Sequence, residues 1–547
     1  IYVFTGGAPG VEVGDLVDVS GQVVEFFGFT EFTAGPSVSV DDTDQDLPAA
    51  VPFGALIPSP DPSAPSCAIE FECYEGMLVS IADGTVTGGN QDFGSDPLAE
   101  IYITAAGSRT FREPGIEFPG LGGSIPTWDG NPEVFELDPD KLGLSNQVIP
   151  GGSSFAASGI LGFEFGDYEL WPTDLSFTPA ALPLAVRARL PGEFTVGSLN
   201  LLRLFDSDSD YANRLSKFSA YINDVLGAPD VLGIQEAGSI TELQDLAAQI
   251  VADYPAVSYT AHLQEGNDVG GIDVGFLVRN NVSVDTVTQL GAAELFTYDE
   301  PDSLLHDRPP LLLRGHYVGN GAPFPIAVMV VHIRSLNGIE TERVQQKRLA
   351  QAQSIATMAQ DFQSGDPLTP LIVIGDFNAF EFTDGYVDVL GQIRGDVNPA
   401  ENVLSGPDLV SPDLANQLDF SASGERYSFV FEGNAQVLDH ALTSSAAGTF
   451  ARDLQFGRGN ADAAHDQIND PGVLRSSDHD GLVLYLMSDF DGDGVADDLD
   501  ECPIDPSKTV SRTGGDCTTA IPTLGPSGLL ILLVVTGGWG AAVIRRR

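Results

Sequence analysis

Basic residues are scarce in this chain of 547 residues. Lys and Arg together number 25, against 78 Asp and Glu, and the formal net charge is −53. Such a surface repels polyanions at low ionic strength, because charges act over about 10 Å in 0.1 M salt. The scarcity argues against unaided binding of a polyanion. Three explanations stay open: a salty marine or halophilic habitat that screens the charge, divalent cations that offset it locally, or an ordinary solubilising surface.

Cysteine is also rare, with four residues at positions 67, 73, 502 and 517. They fall into two close pairs, which suits two small disulfide loops in an oxidising compartment, although spacing alone does not prove pairing. The sequence begins at Ile1 rather than Met. We therefore expect the N-terminus to be missing, and with it any signal peptide.

The length predicts more than one domain, and a hydrophobic content of 43% excludes a disordered acidic tail. Residues 1–189 are rich in Gly and Pro and contain short β-prone runs at 16–19, 23–27, 77–81 and 101–104. Turn signals separate these runs, which predicts a small all-β domain without a catalytic constellation. The Pro-bearing stretch 179–191 is typical of a linker.

Residues 193–487 have a different pattern, in which apolar runs alternate with amphipathic stretches. The runs lie at 194–199, 231–234, 274–278, 326–331, 371–374, 437–438 and 482–486. Their nearly continuous apolar character indicates strands that are buried on both faces. Apolar stripes predict helices at 213–226, 241–251 and 342–363. This segment is therefore expected to be an α/β domain.

Polar side chains follow or precede these runs, where the predicted strands end. They are Asn200, Glu236, His332, Asp376, Asn378, Asp439, Asp478 and His479. A shared sheet core would gather them into a set that suits phosphodiester hydrolysis. Carboxylates such as Glu236 are ligands for a hard divalent cation, while amides and an imidazolium stabilise phosphoryl charge. One histidine can take a proton from water if a carboxylate holds its tautomer.

Six short motifs carry this pattern: SLN at Asn200, GIQE at Glu236, VVHIRS at His332, GDFNA at Asp376, LDHAL at Asp439 and SSDHD at His479. In this order they resemble the signature of the endonuclease/exonuclease/phosphatase (DNase I-like) superfamily. The resemblance implies an α/β (α+β) four-layer sandwich. Residues 74–79 and 128–131 resemble stretches of bacterial extracellular nucleases with an N-terminal OB-like domain, so that residues 1–189 are expected to be OB-like.

The resemblance also implies a role for each motif residue. His479 resembles the general base and Asp439 its orienting carboxylate. Glu236 resembles the main ligand of a catalytic Mg²⁺, Mn²⁺ or Ca²⁺. The other implied roles are metal ligands at Asn200 and Asp478, positioning of phosphate and nucleophile or a second metal at Asp376 and Asn378, and phosphate binding or acid catalysis at His332. Asp273 matches loosely the residue that orients His332, and a structural role for it is the alternative we favour.

A local basic group follows His332, at Arg334, Arg343, Lys347 and Arg348. Arginine suits bidentate contacts with phosphate, so Arg334 is predicted to bind the substrate phosphate. A solvated helix face is the equally weighted alternative.

Residues 489–500 have the ligand spacing of an EF-hand calcium loop. Positions one, three, five, seven, nine and twelve are Asp489, Asp491, Asp493, Val495, Asp497 and Asp500, with Gly494 at six. With Cys502 and Pro503 next, region 489–519 resembles a thrombospondin type 3 repeat that binds Ca²⁺. An acidic linker without metal is the alternative.

The last segment, 521–547, contains Ile-Pro-Thr-Leu, an apolar run at 528–544 and three arginines. It resembles a C-terminal sorting signal of Gram-negative bacteria, and the run is about the shortest that can span a bilayer as a helix. The resemblance implies contact with a membrane before processing and a secreted or cell-surface protein. A permanent transmembrane anchor is the alternative.

The sequence thus predicts a secreted or surface nuclease whose partner is DNA, or RNA. One alternative is a hydrolase of small or lipid phosphoesters, and another is a calcium-dependent surface-binding protein. The N-terminal domain is expected either to bind single-stranded nucleic acid, as OB folds do, or to be structural or adhesive.

Overall fold

The computed structural model describes residues 1–298, 302–319, 321–500, 502–503 and 506. Cys67 and Cys73 form a disulfide. Cys517 and the expected sorting signal at 521–547 lie outside the described residues. Among the residues that are described, no helix has both the length and the apolar character needed to cross a membrane.

The N-terminal region is built from strands. A three-stranded sheet in the order β1-β3-β2 comes first, followed by a circuit in which β5, β6, β9, β11 and β10 pair in turn and β10 pairs back to β5. Its core contains Val79, Ile101, Leu137, Leu161 and Leu170. The strands are β1 (Tyr2–Val3), β2 (Leu16–Phe26), β3 (Phe29–Asp42), β4 (Val51–Phe53), β5 (Leu78–Gly88), β6 (Ile101–Thr104), β7 (Ile116–Glu117), β8 (Thr127–Trp128), β9 (Phe135–Leu137), β10 (Ser154–Glu164) and β11 (Asp167–Thr178), with a 3₁₀ turn at Phe71–Tyr74.

The remaining described residues contain two six-stranded mixed sheets, ordered β14-β15-β13-β12-β27-β26 and β16-β19-β20-β21-β25-β22. The strands of the first are β12 (Glu193–Leu204), β13 (Val231–Ala237), β14 (Tyr259–Leu263), β15 (Asp273–Arg279), β26 (Ala451–Phe456) and β27 (Leu482–Met487). Those of the second are β16 (Val282–Gln289), β19 (Leu311–Tyr317), β20 (Phe324–His332), β21 (Leu371–Asp376), β22 (Ala415–Asn416) and β25 (Asp439–Thr443). Short hairpins pair β17 (Leu295–Phe296) with β18 (Ser303–Leu304) and β23 (Phe429–Phe431) with β24 (Asn434–Gln436).

Helices lie against both sheets. They are α1 (Tyr211–Ala220), continued by a π-helical turn at Tyr221–Val225, α2 (Ile240–Asp253), α3 (Glu342–Gly365), α4 (Val389–Arg394) and α5 (Ser445–Gly448). Single 3₁₀ turns occur at Pro399–Glu401, Gln417–Phe420, Ser423–Glu425 and His465–Ile468.

Three apolar cores explain why the strands are apolar on both faces. The largest core contains side chains from both sheets, such as Val196 and Val328. A second core joins the first sheet to α1 and α2, and a third joins the second sheet to α3 and α4. Each central strand is therefore covered by the other sheet on one side and by helices on the other.

The structure corrects three details of the sequence prediction. Run 437–438 is a link between β24 and β25, because the Ser428 hydroxyl accepts the N–H of Leu438 in place of a strand partner. Run 16–19 and residues 23–26 of the next run belong to the single strand β2, whose register shifts between Ser20 and Gln22 instead of breaking, and Phe27 lies in the turn that follows. The stretch 179–191 is no free linker, since Arg189 forms an ion pair with the buried Asp230.

The N-terminal region contacts the two-sheet region through the β6–β9 loop, residues 105–134. Arg109 forms a buried ion pair with Asp462, with 2.9 Å between Nη2 and Oδ1. Further along this loop, Phe111 forms a parallel bridge with Ala435 of β24 in the β23–β24 hairpin. The hydroxyl of Thr110 donates a hydrogen bond to the carbonyl oxygen of Gly433 in the hairpin turn. These contacts make the β6–β9 loop one side of a cleft.

Candidate active site

Strand register places three predicted site residues side by side. His332 at the end of β20 is opposite Asp376 at the end of β21, and Asp376 is opposite Asp439 at the start of β25. In the other sheet, Asn200 of β12 is opposite Gln235 of β13, one residue before Glu236. The predicted polar strand ends therefore meet at one edge of the paired sheets.

Irregular backbone turns the side chains of this edge toward one another. The register of β12 and β13 shifts between Asn200 and Leu204, and Glu236 has a φ of 61°, in the left-handed region. A bulge of this kind changes the direction of a side chain relative to its strand, and left-handed backbone at a non-glycine residue is common at functional sites. As a result, Asn200 Nδ2 lies 3.2 Å from Glu236 Oε1 and 3.2 Å from Asp376 Oδ2.

The turn after β21 holds Asp376 in place. A side chain at Gly375 would put its Cβ 2.1 Å from the carbonyl oxygen of Val331, so only glycine fits there. The N–H of Asn378 donates to Asp376 Oδ1 at 2.8 Å, and its Nδ2 donates to the carbonyl oxygen of Ile333 at 3.2 Å. The other carboxylate oxygen of Asp376 is left to face the site.

His479 and Asp439 form a buried pair, with 2.7 Å between Nδ1 and Oδ2. The Nε2 atom of His479 is turned toward Asp376 Oδ2, at 4.0 Å. The next residue, Asp480, is fully buried, forms an ion pair with Arg458 and accepts the N–H of Asn460. This network fixes the backbone that carries His479.

The pKa values at the site show how strongly its charges interact. Burial by itself would lower the pKa of His479, but Asp439 and Asp376 outweigh it and hold that pKa well above its ordinary value. Burial raises the pKa of Glu236 and raises that of Asp376 to about 7. Desolvation favours the protonated form of both carboxylates more than the nearby charge of His479 favours their ionised form.

His332 differs from His479 in its surroundings. Its Nε2 lies 3.5 Å from Asp376 Oδ2 and 3.8 Å from Glu236 Oε1. Burial, with Arg308 and His479 nearby, holds its pKa well below the ordinary value. Its Nδ1 has no hydrogen-bond partner among the described residues.

The loosely matched Asp273 instead accepts the N–H of Gly266 at 2.7 Å, so it does not orient His332 and is structural.

The carboxylates of the site fit a divalent cation. The ligand atoms of Asp376, Asp439 and His479 lie within 4.8 Å of one another, but Asp439 and His479 already bind each other. We therefore favour Glu236 and Asp376, whose carboxylates both lie 3.2 Å from Asn200 Nδ2, with Asp478 on the same cleft. Asn200 differs from its predicted ligand role: its Oδ1 accepts the N–H of Leu202 at 2.8 Å, and its Nδ2 faces the carboxylates.

Arg334 does not border the cleft, and the other members of its basic group are used elsewhere. Arg348 is fully buried and donates to the carbonyl oxygen of Asn378, and Lys347 forms an ion pair with Asp307.

Arg308, which sequence reasoning missed, borders the cleft instead. Its guanidinium donates to Asp268 at 2.9 Å and to the carbonyl oxygen of Ile333 at 3.0 Å. Arg308 lies in a loop outside every motif, so the sequence carried no signal for it.

The cleft at this site has a volume of about 1160 Å³. On one side it is bordered by Glu236, His332, Asp376, Asn378, Asp478 and His479. On the other side it is bordered by residues of the N-terminal region, among them Arg112 and Trp128. Phe429 packs against His479, with 4.9 Å between ring centroids. No sequence motif predicts Arg112 or Trp128 here, because their position depends on how the two regions dock, and none predicts Phe429, which lies in a short hairpin.

The predicted calcium loop gathers part of its ligand set. Carboxylate oxygens of Asp489, Asp491 and Asp493 lie within 4.8 Å of one another. Buried oxygens of Asp491, Asp493 and Asp500 have no hydrogen-bond partner within the described part of the chain, which fits an oxygen-ligated cation. The two oxygens of Asp497 accept hydrogen bonds from Ser488 and Phe490.

No family model matches this chain, and no curated protein matches it. It is similar to solved structures that include D. rerio TDP2 complexed with single strand DNA product, with 16% identity over 54% of this chain and 99% of that chain and a TM-score of 0.36. Another is an endonuclease/exonuclease/phosphatase family protein from Bacteroides thetaiotaomicron (16% identity, 55% and 100% coverage, TM-score 0.36). A third is the human Nocturnin catalytic domain with bound sulfate (18%, 55% and 97%, TM-score 0.36). At this TM-score the likeness supports no functional conclusion, and function is inferred from the residues of the site.

Proposed function

We propose that this chain is a metal-dependent phosphodiesterase of the DNase I-like type, and that it acts as a nuclease on DNA, or on RNA. One observation carries the proposal: the His479–Asp439 pair faces two desolvated carboxylates and a second histidine in a single cleft. This set offers a base for water, an acidic cation site and N–H donors for a phosphate. Phosphodiester hydrolysis uses all three.

Each side chain has a distinct part in the reaction. Asp439 holds a proton on Nδ1 of His479, so that Nε2 is free to take a proton from the attacking water. Asp439 then stabilises the imidazolium that forms, while the water oxygen bonds to phosphorus, the P–O bond to the leaving alcohol breaks, and the leaving oxygen takes a proton from solvent. Arg308 supplies a fixed positive charge beside His332, and N–H donors of this kind stabilise charge on phosphoryl oxygens. Asn200 bridges Glu236 and Asp376 and keeps both carboxylates in place.

Glu236, Asp376 and Asp478 are the residues that would hold a catalytic Mg²⁺, Mn²⁺ or Ca²⁺. A bound divalent cation would neutralise the negative charge that develops on the phosphoryl oxygens. Removing the charge of Glu236 should therefore raise the metal concentration needed for half-maximal activity. The Glu236→Gln variant tests this ligand set by metal titration.

The wider setting is part of the same proposal. A disulfide at Cys67 and an acidic surface with a net charge of −53 support a secreted or cell-surface enzyme that works in salty water. The five-strand circuit of the N-terminal region supports an OB-like domain. The unpartnered carboxylate oxygens of residues 489–500 support a bound Ca²⁺. The expected sorting signal supports export through a membrane-bound intermediate.

The proposal is tested by incubating the purified protein with single-stranded DNA, duplex DNA, RNA and phospholipid, each with EDTA, Mg²⁺, Mn²⁺ or Ca²⁺. We expect metal-dependent cleavage of nucleic acid that His479→Ala abolishes. His465→Ala is a matched control, because His465 is about half exposed and does not border the cleft. Cleavage of phospholipid alone would favour the lipid phosphoesterase, and full activity in the His479→Ala variant would contradict the mechanism.

A further inference from the structure

The cleft has a second wall that takes no part in the proposed chemistry. It consists of the β6–β9 loop and the β23–β24 hairpin, which are joined by backbone and side-chain hydrogen bonds. The N–H of Arg112 donates to the carbonyl oxygen of Ala435 at 2.9 Å, and Asn131 Nδ2 donates to Asn434 Oδ1 at 2.6 Å. In the hairpin turn, Gly433 has a φ of 72°, and an added Cβ would lie 2.7 Å from Val134. The β6–β9 loop therefore packs directly against the β23–β24 hairpin, and the two together form the second wall.

Trp128 gives the second wall an unused hydrogen-bond donor. Its side chain borders the cleft and is 9% exposed, and its indole Nε1–H is itself buried, yet this N–H has no hydrogen-bond partner among the residues described. The guanidinium of Arg112 covers the indole, with Cζ 4.0 Å from the ring centroid, and lies 4.8 Å from the ring centroid of Phe380. A buried indole N–H usually has a partner, so this one is suited to a ligand.

Phe431 gives the wall a free aromatic face. It borders the same cleft and is 55% exposed, at the tip of the β23–β24 hairpin. A large exposed ring within a cleft that also holds a phosphate site is a surface on which a planar group can stack. Stacking of this kind depends little on sequence, because every nucleobase has an aromatic face.

The negative charge of the second wall favours an unpaired nucleobase over a nucleic acid duplex. Four carboxylates border this part of the cleft and outnumber the guanidinium of Arg112, namely Glu117, Glu136, Asp167 and Glu432. They would oppose the closely spaced phosphates of a duplex, whereas a nucleobase carries no charge and its exocyclic amino groups can donate to carboxylates. A duplex also keeps its bases stacked on one another, so only an unpaired base can reach Phe431 and Trp128.

We propose that the second wall is a binding subsite for an unpaired nucleobase beside the scissile phosphate, in which the base stacks on Phe431 and accepts a hydrogen bond from Trp128. The N-terminal region is thereby part of the substrate site, and single-stranded nucleic acid is the preferred substrate. This inference rests on the proposed nuclease function. Binding can nevertheless be measured without turnover.

The test uses the full chain carrying His479→Ala and fluorescence anisotropy with two labelled oligonucleotides of equal length. One carries bases and the other is abasic throughout, so that both have the same phosphates. Phe431→Ala should raise the Kd for the base-bearing strand about ten-fold, and Trp128→Phe about three-fold or more. Neither substitution should change the Kd for the abasic strand by more than about two-fold.

Two further variants control for folding. Phe165→Ala removes a phenylalanine of the N-terminal region that is 98% exposed, and Trp171→Phe removes an indole whose N–H already donates to Glu169. Both should bind the base-bearing strand as the parent does. Equal effects of Phe431→Ala on the two strands, or no effect on either, would overturn the subsite. Failure of the chain with His479 intact to cleave any nucleic acid would instead count against the nuclease function and leave the binding result intact.

Discussion

His479 Nδ1 lies 2.7 Å from Asp439 Oδ2, and both side chains are buried at the edge of the two sheets. The pairing leaves Nε2 as the nitrogen that can accept a proton. It also determines the pH at which that nitrogen is free, because Asp439 favours the protonated ring over the neutral one.

The pH dependence of turnover should report the His479–Asp439 pair. A general base acts only when it is unprotonated, and the pKa of His479 is held above its ordinary value, so kcat should rise with pH on an alkaline-shifted limb. Asp439→Asn removes the charge that outweighs burial, which moves that limb to lower pH while kcat falls. His479→Ala should lose about 10²–10⁴-fold in kcat. Profiles at saturating metal that coincide for Asp439→Asn and the parent would contradict this assignment.

Arg308, and not Arg334, should matter for phosphate binding. Arg308 borders the cleft and is held beside His332 by Asp268, whereas Arg334 does not border the cleft. Arg308→Ala should lower kcat/KM about 100-fold, which is the size of effect expected when a donor to developing charge is removed. Arg334→Ala should change kcat/KM by less than about three-fold. Steady-state kinetics of the two variants on one oligonucleotide decide the point, and the reverse order of effects would refute it.

Calcium should stabilise the protein without taking part in its chemistry. The loop 489–500 follows β27 at the end away from His479, about 20 Å along the six-residue strand. It is joined to the two-sheet region by the Arg452–Asp498 ion pair and by the N–H of Ala322, which donates to the carbonyl oxygen of Phe490. Calcium at about 100 times its Kd should raise the free energy of unfolding by about 2.7 kcal/mol.

The double variant Asp491→Asn, Asp493→Asn should lose this calcium-dependent rise in Tm and keep its kcat at saturating Mg²⁺. Asp498→Asn is the matched control, since it removes a carboxylate of the same loop that is bound to Arg452. A rise in Tm with calcium that survives in the double variant would show that the ion binds elsewhere. Loss of kcat in that variant would show that the loop contributes to catalysis.

Two buried glutamates should make the N-terminal region less stable at high pH. Glu136 of β9 is the cross-strand partner of Glu169 of β11, and burial raises the pKa of each to about 7. Because the folded state binds these protons more tightly than the unfolded state does, the free energy of unfolding falls as the pH rises from about 4.5 to about 7. The effect is on the order of 1 kcal/mol per carboxyl.

The Glu136→Gln, Glu169→Gln variant should flatten this dependence when unfolding of the full chain is followed in denaturant between about pH 5 and pH 8. The net charge of the whole chain also destabilises it as the pH rises, so the informative quantity is the difference from the parent. Glu113→Gln, at an exposed position of the same region, should follow the parent. An unchanged slope in the double variant would assign the dependence to other groups.

Much of the two-sheet region could be predicted from the sequence, because the residue pattern that specifies each strand or helix lies within that element. An apolar run ending in a polar residue predicts both a doubly covered strand and a side chain at the sheet edge, as at β20 with His332 and β21 with Asp376. The helix predicted at 342–363 corresponds to α3 at Glu342–Gly365, because its apolar spacing reports the face that packs on the sheet. The strand predicted at 437–438 does not form, because the hydroxyl of Ser428 accepts the N–H of Leu438 in place of a strand partner. The spacing of apolar residues does not reveal such a hydrogen bond.

What the sequence determined by itself was the order of the strands along the chain and the residue types at their ends. Only the tertiary structure decided which of these side chains meet, which atom of Asn200 faces the carboxylates, and that Arg308 rather than Arg334 borders the cleft. It also brought Trp128 to a cleft whose chemistry lies more than 300 residues further along the chain at His479. The reason is physical: periodicity reports the faces of single elements, whereas loop positions and the docking of one region on another follow from contacts between residues far apart in sequence.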